Sequence, residues 1–156
     1  MSAPVKPIPD NFPVLCAYLT VRDAAAAIDF YQAVFGAEEI LRLVEPSGKV
    51  AHAELRIGGA VLMLADEYPG FNRPPEALGG TPVALHLYVP DADAVMAQAV
   101  QAGAKPLVPV EDQFYGDRSG RFEDPFGHVW LIATHIEDVS PEEMQRRFET
   151  MLASIG

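Results

Sequence analysis

The stretch Tyr18-Leu19-Thr20-Val21-Arg22-Asp23-Ala24, continued by Phe30-Tyr31 and closed by Phe35-Gly36-Ala37, decides the fold, because a looser copy returns as Tyr88-Val89-Pro90-Asp91-Ala92 and Ala102-Gly103-Ala104. In each copy an apolar run meets an aspartate, an alanine-rich segment follows, and a Gly-Ala pair ends it. Val21 and Val89 are 68 apart, as are Asp23 and Asp91, while Gly36 and Gly103 are 67 apart. A near-constant period of this size marks two copies of one supersecondary unit.

Each aspartate stands where a helix N-cap belongs, and each glycine where a left-handed residue ends one. The spacing predicts helices over about Ala24–Phe35 and Ala92–Ala102. Ala24, Ala27, Ile28, Tyr31 and Phe35 mark one face of the first, and Ala92, Val95, Met96, Ala99 and Val100 the same face of the second. Such faces require a sheet to cover.

Working outward, strands are expected at Val14–Val21, Glu38–Val44, Val50–Ile57 and Ala60–Ala65. Their counterparts are Val83–Val89, Pro106–Val110, a strand near Tyr115–Glu123, and His128–Thr134. Val50–Ile57 alternates, with Ala53, Leu55 and Ile57 on one face and His52, Glu54 and Arg56 on the other, so one face meets a helix and the other something polar. The turn Asp124-Pro125-Phe126-Gly127 takes the place of Gly58-Gly59, Gly127 lying 68 beyond Gly59.

The fold class is therefore α+β with two βαβββ modules. Residues 1–13 form a proline-rich extended arm, 14–66 the first module, 67–82 a linker loop, 83–135 the second module and 136–156 a helical tail. The linker carries Pro69, Pro74, Pro75 and Pro82 with Gly70, Gly79 and Gly80, and reads as a lid-like loop without structure of its own. The tail begins Ser140-Pro141-Glu142-Glu143, a strong helix start, and Met144, Phe148, Met151 and Leu152 give it an apolar stripe.

The length of 156 residues, with 49% hydrophobic and 21% charged residues, is that of a globular domain with a real core. A net charge of −11 repels phosphate backbones, which disfavours nucleic acid and suits a cationic ligand. No run approaches the roughly 18 apolar residues of a membrane span, and the first residues lack the apolar segment of a signal peptide, so the expectation is a cytoplasmic protein without membrane contact. Cys16 is the single cysteine and forms no intrachain disulfide. Phosphate-loop, Gly-x-Ser-x-Gly, HExxH and CxxC signatures are absent.

The ordered set Tyr18-Leu19, Asp23-Ala24, Ala27-Ile28-Asp29-Phe30-Tyr31, Phe35-Gly36-Ala37, His52-Ala53-Glu54-Leu55, Gly116-Asp117-Arg118, Asp124-Pro125-Phe126-Gly127-His128, Trp130, Thr134-His135 and Glu137-Asp138-Val139 resembles the vicinal oxygen chelate superfamily, in its PhnB-like glyoxalase/bleomycin resistance branch. The resemblance covers about residues 14–148. It implies a small-molecule ligand and a homodimer. In metal-using members the ligands come from the first and fourth strands of each unit, and by resemblance to glyoxalase I those positions fall on Cys16, Met63, Ala84 and Leu131. A divalent ion wants several oxygen or nitrogen donors, which these residues do not supply, so neither a metal nor another cofactor is expected.

Strand parity turns His52, Glu54 and Arg56 toward a cavity, with Tyr18 and its repeat equivalent His86, and with Tyr88 beside His86. An ion-paired, solvated strand face is the alternative for the His52 row. Tyr115 and Arg118 stand at the cavity mouth, Arg118 as an anion or carboxylate clamp or as a local partner of Asp117, Glu123 or Asp124, and Phe122 adds an aromatic wall. His128 and Trp130 are expected against a helix, and His135 as a local hydrogen-bond partner.

These residues support three readings of function. The first is a metal-free binding protein for an aromatic or cationic compound, held by Tyr18, His52, Glu54, Arg56, His86, Tyr88, Tyr115, Arg118 and Phe122. The second is a lyase, isomerase or dioxygenase with a displaced metal on His52, Glu54 and His86. The third is metal-independent acid–base catalysis by His52 and Glu54.

Overall fold

The computed structural model describes residues 3–156, which divide into two compact units, one ending at Gly79 and the other running from Gly80 to Gly156. The first contains β1 (Ala17–Val21), α1 (Ala24–Phe35), β2 (Glu38–Val44), β3 (Val50–Ile57), β4 (Ala60–Asp66) and the single turn α2 (Pro75–Leu78). The second contains β5 (Ala84–Tyr88), α3 (Ala92–Gln101), β6 (Lys105–Asp112), β7 (Asp117–Glu123), β8 (Val129–His135) and α4 (Pro141–Ile155). The sheets run β1-β4-β3-β2 and β5-β8-β7-β6, each with a parallel pair first and antiparallel pairs after it.

The caps form as their residues dictate. The Asp23 carboxylate accepts from the Ala26 amide at 3.1 Å and Asp91 from Ala94 at 3.1 Å, each satisfying a first-turn donor. Gly36 ends α1 with φ +66°, a conformation that favours glycine. In α1 the buried residues Ala24, Ala27, Ile28, Phe30, Tyr31 and Val34 press on the sheet, where Leu19, Val21, Ala53, Leu55 and Leu64 are buried. In the second unit Ala92 and Ala99 do the same against Trp130, Ile132 and Phe122, while Val100 stays 41% exposed.

Helix and sheet are also tied by a polar side chain in each unit, buried at Asp66 and half-buried at Thr134. Asp66, at the end of β4, accepts from the Ala24 amide through one oxygen and from the Val50 amide through the other, both at 2.7 Å. Thr134, 68 residues later, takes the same place at smaller scale: its Oγ1 accepts from the Ala92 amide at 2.8 Å and donates to the Val89 carbonyl at 2.9 Å.

Several expected bounds change: β1 begins at Ala17 rather than Val14, with Val14 and Leu15 exposed, and β6 runs from Lys105 to Asp112. The linker is not a bare loop: Pro74 and Pro75 are buried, Pro75 opens α2, and Asn72 accepts from the Tyr68 amide at 2.6 Å while donating to the Asp66 carbonyl at 3.3 Å. Proline at the first helical position gives up an amide that lacks a partner there in any case. And β7 starts at Asp117 rather than Tyr115, because Gly116, at φ +98°, turns the chain so that its carbonyl receives the Ile136 and Glu137 amides. A Cβ at this position would collide with the Glu137 carbonyl.

The tail helix α4 is capped as its sequence promises, Ser140 Oγ accepting from the Glu143 amide at 3.2 Å. Arg147 fastens it, donating to the Phe114 carbonyl at 3.1 Å and pairing with Glu137 and Glu143. Of its stripe, Phe148 stacks near Phe114 with centroids 5.7 Å apart, while Met151 and Leu152 remain open. Among the described residues no helix is long and apolar enough to cross a membrane.

Candidate functional site

In each unit the sheet face opposite its helix carries a cluster of polar residues. In the first unit, β1 sets Tyr18 beside Met63, and Met63 pairs with Glu54, which pairs with Leu41. His52 lies two residues from Glu54 on the same face, because strand side chains alternate. These three side chains are joined: the Tyr18 hydroxyl lies 2.8 Å from His52 Nδ1, and His52 Nε2 lies 3.0 Å from Glu54 Oε2. An ionised glutamate only accepts, so Nε2 carries the proton toward Glu54, and in the neutral ring Nδ1 is then the acceptor for the Tyr18 hydroxyl. The His52 and Glu54 side chains are only 23% and 14% exposed, whereas Tyr18 is 54% exposed and presents the outer end of the chain. Burial and the charge of Glu54 hold the Tyr18 hydroxyl above the usual tyrosine range. Arg56, next along this face, donates to the Asn11 carbonyl at 3.3 Å and so tethers the N-terminal arm.

The second unit places its polar groups in another order. Tyr88 donates to Asp117 Oδ2 at 2.8 Å, His135 Nδ1 meets Asp117 Oδ1 at 2.8 Å, and His135 Nε2 meets Asp138 at 2.7 Å. Asp117 is buried. Two carboxylates on one imidazole ask both ring nitrogens to donate, which only the imidazolium does. The bond from Asp117, and then that from Asp138, accordingly raise the His135 pKa above its ordinary value, and the bond to Asp117 raises that of Tyr88. Around these groups lies a cavity of about 370 Å³ lined by Tyr88, Phe114, Tyr115, Asp117, His135, Asp138, Val139 and Met144. His86 stands just outside it on the same strand, its ring 4.7 Å from that of Tyr88.

The raised His135 pKa has a sign. A group whose pKa is higher folded than unfolded stabilises fully below its unfolded value, ordinarily 6.5, and loses that contribution as pH rises through the folded value. The denaturation midpoint of the wild type should therefore exceed that of His135→Gln most at pH 6, and the gap should shrink by pH 9. Urea titrations at the two pH values check this, and a gap that widens with pH would contradict the pairing.

Two expected cavity residues lie elsewhere. Arg118 and Phe122 are on the helix-covered face of β7: Arg118 is held by Asp93 of α3 at 2.7 and 2.9 Å and by Asp112 at 2.9 Å, and Phe122 is fully buried, paired in register with buried Trp130. Arg118 thus serves neither as a clamp in the cavity nor as a partner of Asp117, Glu123 or Asp124. The opposite face of β7 carries Asp117, Ser119, Arg121 and Glu123. Tyr115 does line the cavity, 3.4 Å from Ser119 Oγ. Trp130 is buried and donates through Nε1 to Asp124 at 2.9 Å.

The family model for the Glyoxalase/Bleomycin resistance protein/Dioxygenase superfamily matches residues 14–132. The chain belongs to this superfamily. An uncharacterised relative in Mycobacterium tuberculosis H37Rv, Rv0887c, is 46% identical over 137 residues, which is 85% of this chain and 81% of that one. The crystal structure of TioX from Micromonospora sp. ML1 is 28% identical with a TM-score of 0.62, covering 78% of this chain and 98% of that chain. The PhnB protein from Bacillus cereus, at 19% identity and a TM-score of 0.63, covers 78% of this chain and 99% of that chain and shows the fold alone.

Cys16, Met63, Ala84 and Leu131, the positions to which the resemblance carries the superfamily's metal ligands, are a donor set that does not fit a divalent ion. A thiol, a thioether and two hydrocarbon side chains cannot satisfy a hard divalent ion. Among the described residues no group of three or more histidines, cysteines and carboxylates is arranged to hold a metal. His52 is instead hydrogen-bonded on both ring nitrogens, to Tyr18 and to Glu54.

Proposed function

We propose that the protein is a small-molecule binding protein of its superfamily that takes up a planar, cationic aromatic compound without a metal. The observation that carries this reading is the cavity of the second unit, where three aromatic rings, Tyr88, Phe114 and Tyr115, stand with the carboxylates Asp117 and Asp138 and the thioether of Met144. Ring faces attract cations at about 0.5–2 kcal/mol each, and a volume of about 370 Å³ suits a small planar molecule. A net charge of −11 raises the local concentration of cations and favours their capture. The reading includes a homodimer, supported by the open apolar residues Met151 and Leu152 of α4.

Fluorescence titration with ethidium, a planar aromatic cation, tests it against tetraethylammonium, a cation without a ring system, and naphthalene sulfonate, an aromatic anion. Ethidium should bind saturably and more tightly than either. Absence of saturation up to about 1 mM, an affinity weaker than roughly −4 kcal/mol, ends the proposal.

A further inference from the structure

The chain Glu54–His52–Tyr18 in the first unit does not line that cavity. Its order is that of a nucleophile, a base and an orienting carboxylate: a hydroxyl 2.8 Å from an imidazole nitrogen whose other nitrogen is 3.0 Å from a carboxylate. The acid is the most sheltered of the three and the hydroxyl the most open, so a reacting molecule meets Tyr18 first. From this geometry we infer a second, covalent site: Tyr18 is a nucleophile toward small activated esters or thioesters, His52 is its base, and Glu54 is the positioning residue.

The step balances without any co-reactant beyond water. Tyr18 Oη attacks the acyl carbon, the new O–C bond forms as the bond to the leaving oxygen or sulfur breaks, and the phenolic proton passes to His52 Nδ1. Glu54 stabilises the resulting imidazolium, which then gives its proton to the leaving group. Water next attacks the acyl-tyrosine with His52 taking its proton, and that proton returns to Tyr18 as the acid departs.

The second unit supplies the control within the same molecule. Tyr88 is 60% exposed against 54% for Tyr18, so access is nearly equal. Its hydroxyl, however, donates to a carboxylate, Asp117, whose other oxygen already meets His135. A carboxylate is a far weaker proton acceptor than an imidazole. Two tyrosines of like exposure therefore differ in the base that each one faces.

The test mixes the full chain with p-nitrophenyl acetate, quenches in acid within the first turnover, before the acyl-tyrosine hydrolyses, and quantifies acetylated tyrosine by peptide mass spectrometry. Tyr18 should be acetylated at least about tenfold faster than Tyr88, a conservative share of the roughly 10²–10⁴ that a placed base contributes. Equal rates at the two tyrosines in the unaltered protein overturn the inference and require no variant. His52→Gln should bring the Tyr18 rate down to that of Tyr88, and a Tyr18 rate unchanged in a folded His52→Gln protein also overturns it. For Glu54 the readout is rescue by the conservative variant. Glu54→Gln keeps an oxygen that accepts from His52 Nε2 and should retain most of the Tyr18 rate, whereas Glu54→Ala leaves the ring unoriented and should lose it. Equal Tyr18 rates in the two folded variants reject the positioning role.

Discussion

Replacing Asp66 by alanine is expected to cost the protein about 3–5 kcal/mol, because the loss of one side chain leaves two amides without their acceptor. The carboxylate holds both at 2.7 Å, one from Ala24 at the start of α1 and one from Val50 at the start of β3, and it does so from a buried position. A hydrogen bond to a charged group contributes about 1.5–3 kcal/mol, and a buried donor left unpaired keeps its desolvation cost. Its negative charge also faces the positive end of the α1 dipole. Asp66→Asn keeps one acceptor but aims an N–H at the second amide, so it should lose at least half as much. Thr134→Ala removes the neutral counterpart in the second unit and should cost nearer 1 kcal/mol. Urea unfolding of the three variants at pH 7 gives the order, and an Asp66→Ala loss no larger than that of Thr134→Ala would falsify the argument.

The relation between Asp66 and Thr134 also shows how much of the fold the sequence carries. Both caps, both helices and the alternation of β3 were legible because each rests on a local rule: an acceptor at a helix start, a glycine at its end, a two-residue period. His52 and Glu54 could be placed on one face from that period alone, and Tyr18 from the parity of a neighbouring strand. Their mutual bonds were not legible, since they depend on how β1, β4 and β3 stand side by side.

The residues that moved share one cause. A uniform repeat of 68 carries Glu54 onto Phe122 and so points Phe122, with Arg118, away from the helix. In the sheets, Met63 pairs with Glu54 while Leu131, 68 residues later, pairs with Arg121. The turn between β7 and β8 therefore holds one residue more than its counterpart, and the offset from the helix ends up to it is 67. A one-residue slip in a strand reverses every side chain. The offset drops from 68 at Asp23 and Asp91 to 67 at Gly36 and Gly103 and returns to 68 only across that turn, so the spacing of the two glycines already contained this information. Strand alternation could not correct the error, for β7 carries charge on both faces, Arg118 on one and Arg121 on the other. Asp117 and His135 were hidden for another reason. Their meaning comes from Gly116 drawing residues 136 and 137 against the strand, a contact no local pattern announces.

Removing the Tyr88 ring is expected to weaken ethidium binding at least about tenfold, close to 1.4 kcal/mol. Tyr88 does two things in the cavity: its ring face forms a wall, and its hydroxyl occupies one oxygen of buried Asp117. Tyr88→Ala loses both, whereas Tyr88→Phe keeps the wall and frees only the oxygen. If the attraction is to the ring, Tyr88→Phe retains most of the affinity and Tyr88→Ala does not. If it is to the carboxylate, the two variants behave alike, and the role given to the aromatic wall is wrong. The sign of the pH dependence supplies an independent check. Protonated His135 puts a positive charge on the same wall, and the bonds to Asp117 and Asp138 keep it protonated above the ordinary histidine range. A cation competes with that proton, so ethidium affinity should rise as pH passes upward through the His135 titration, and His135→Gln should bind it as tightly at low pH as at high.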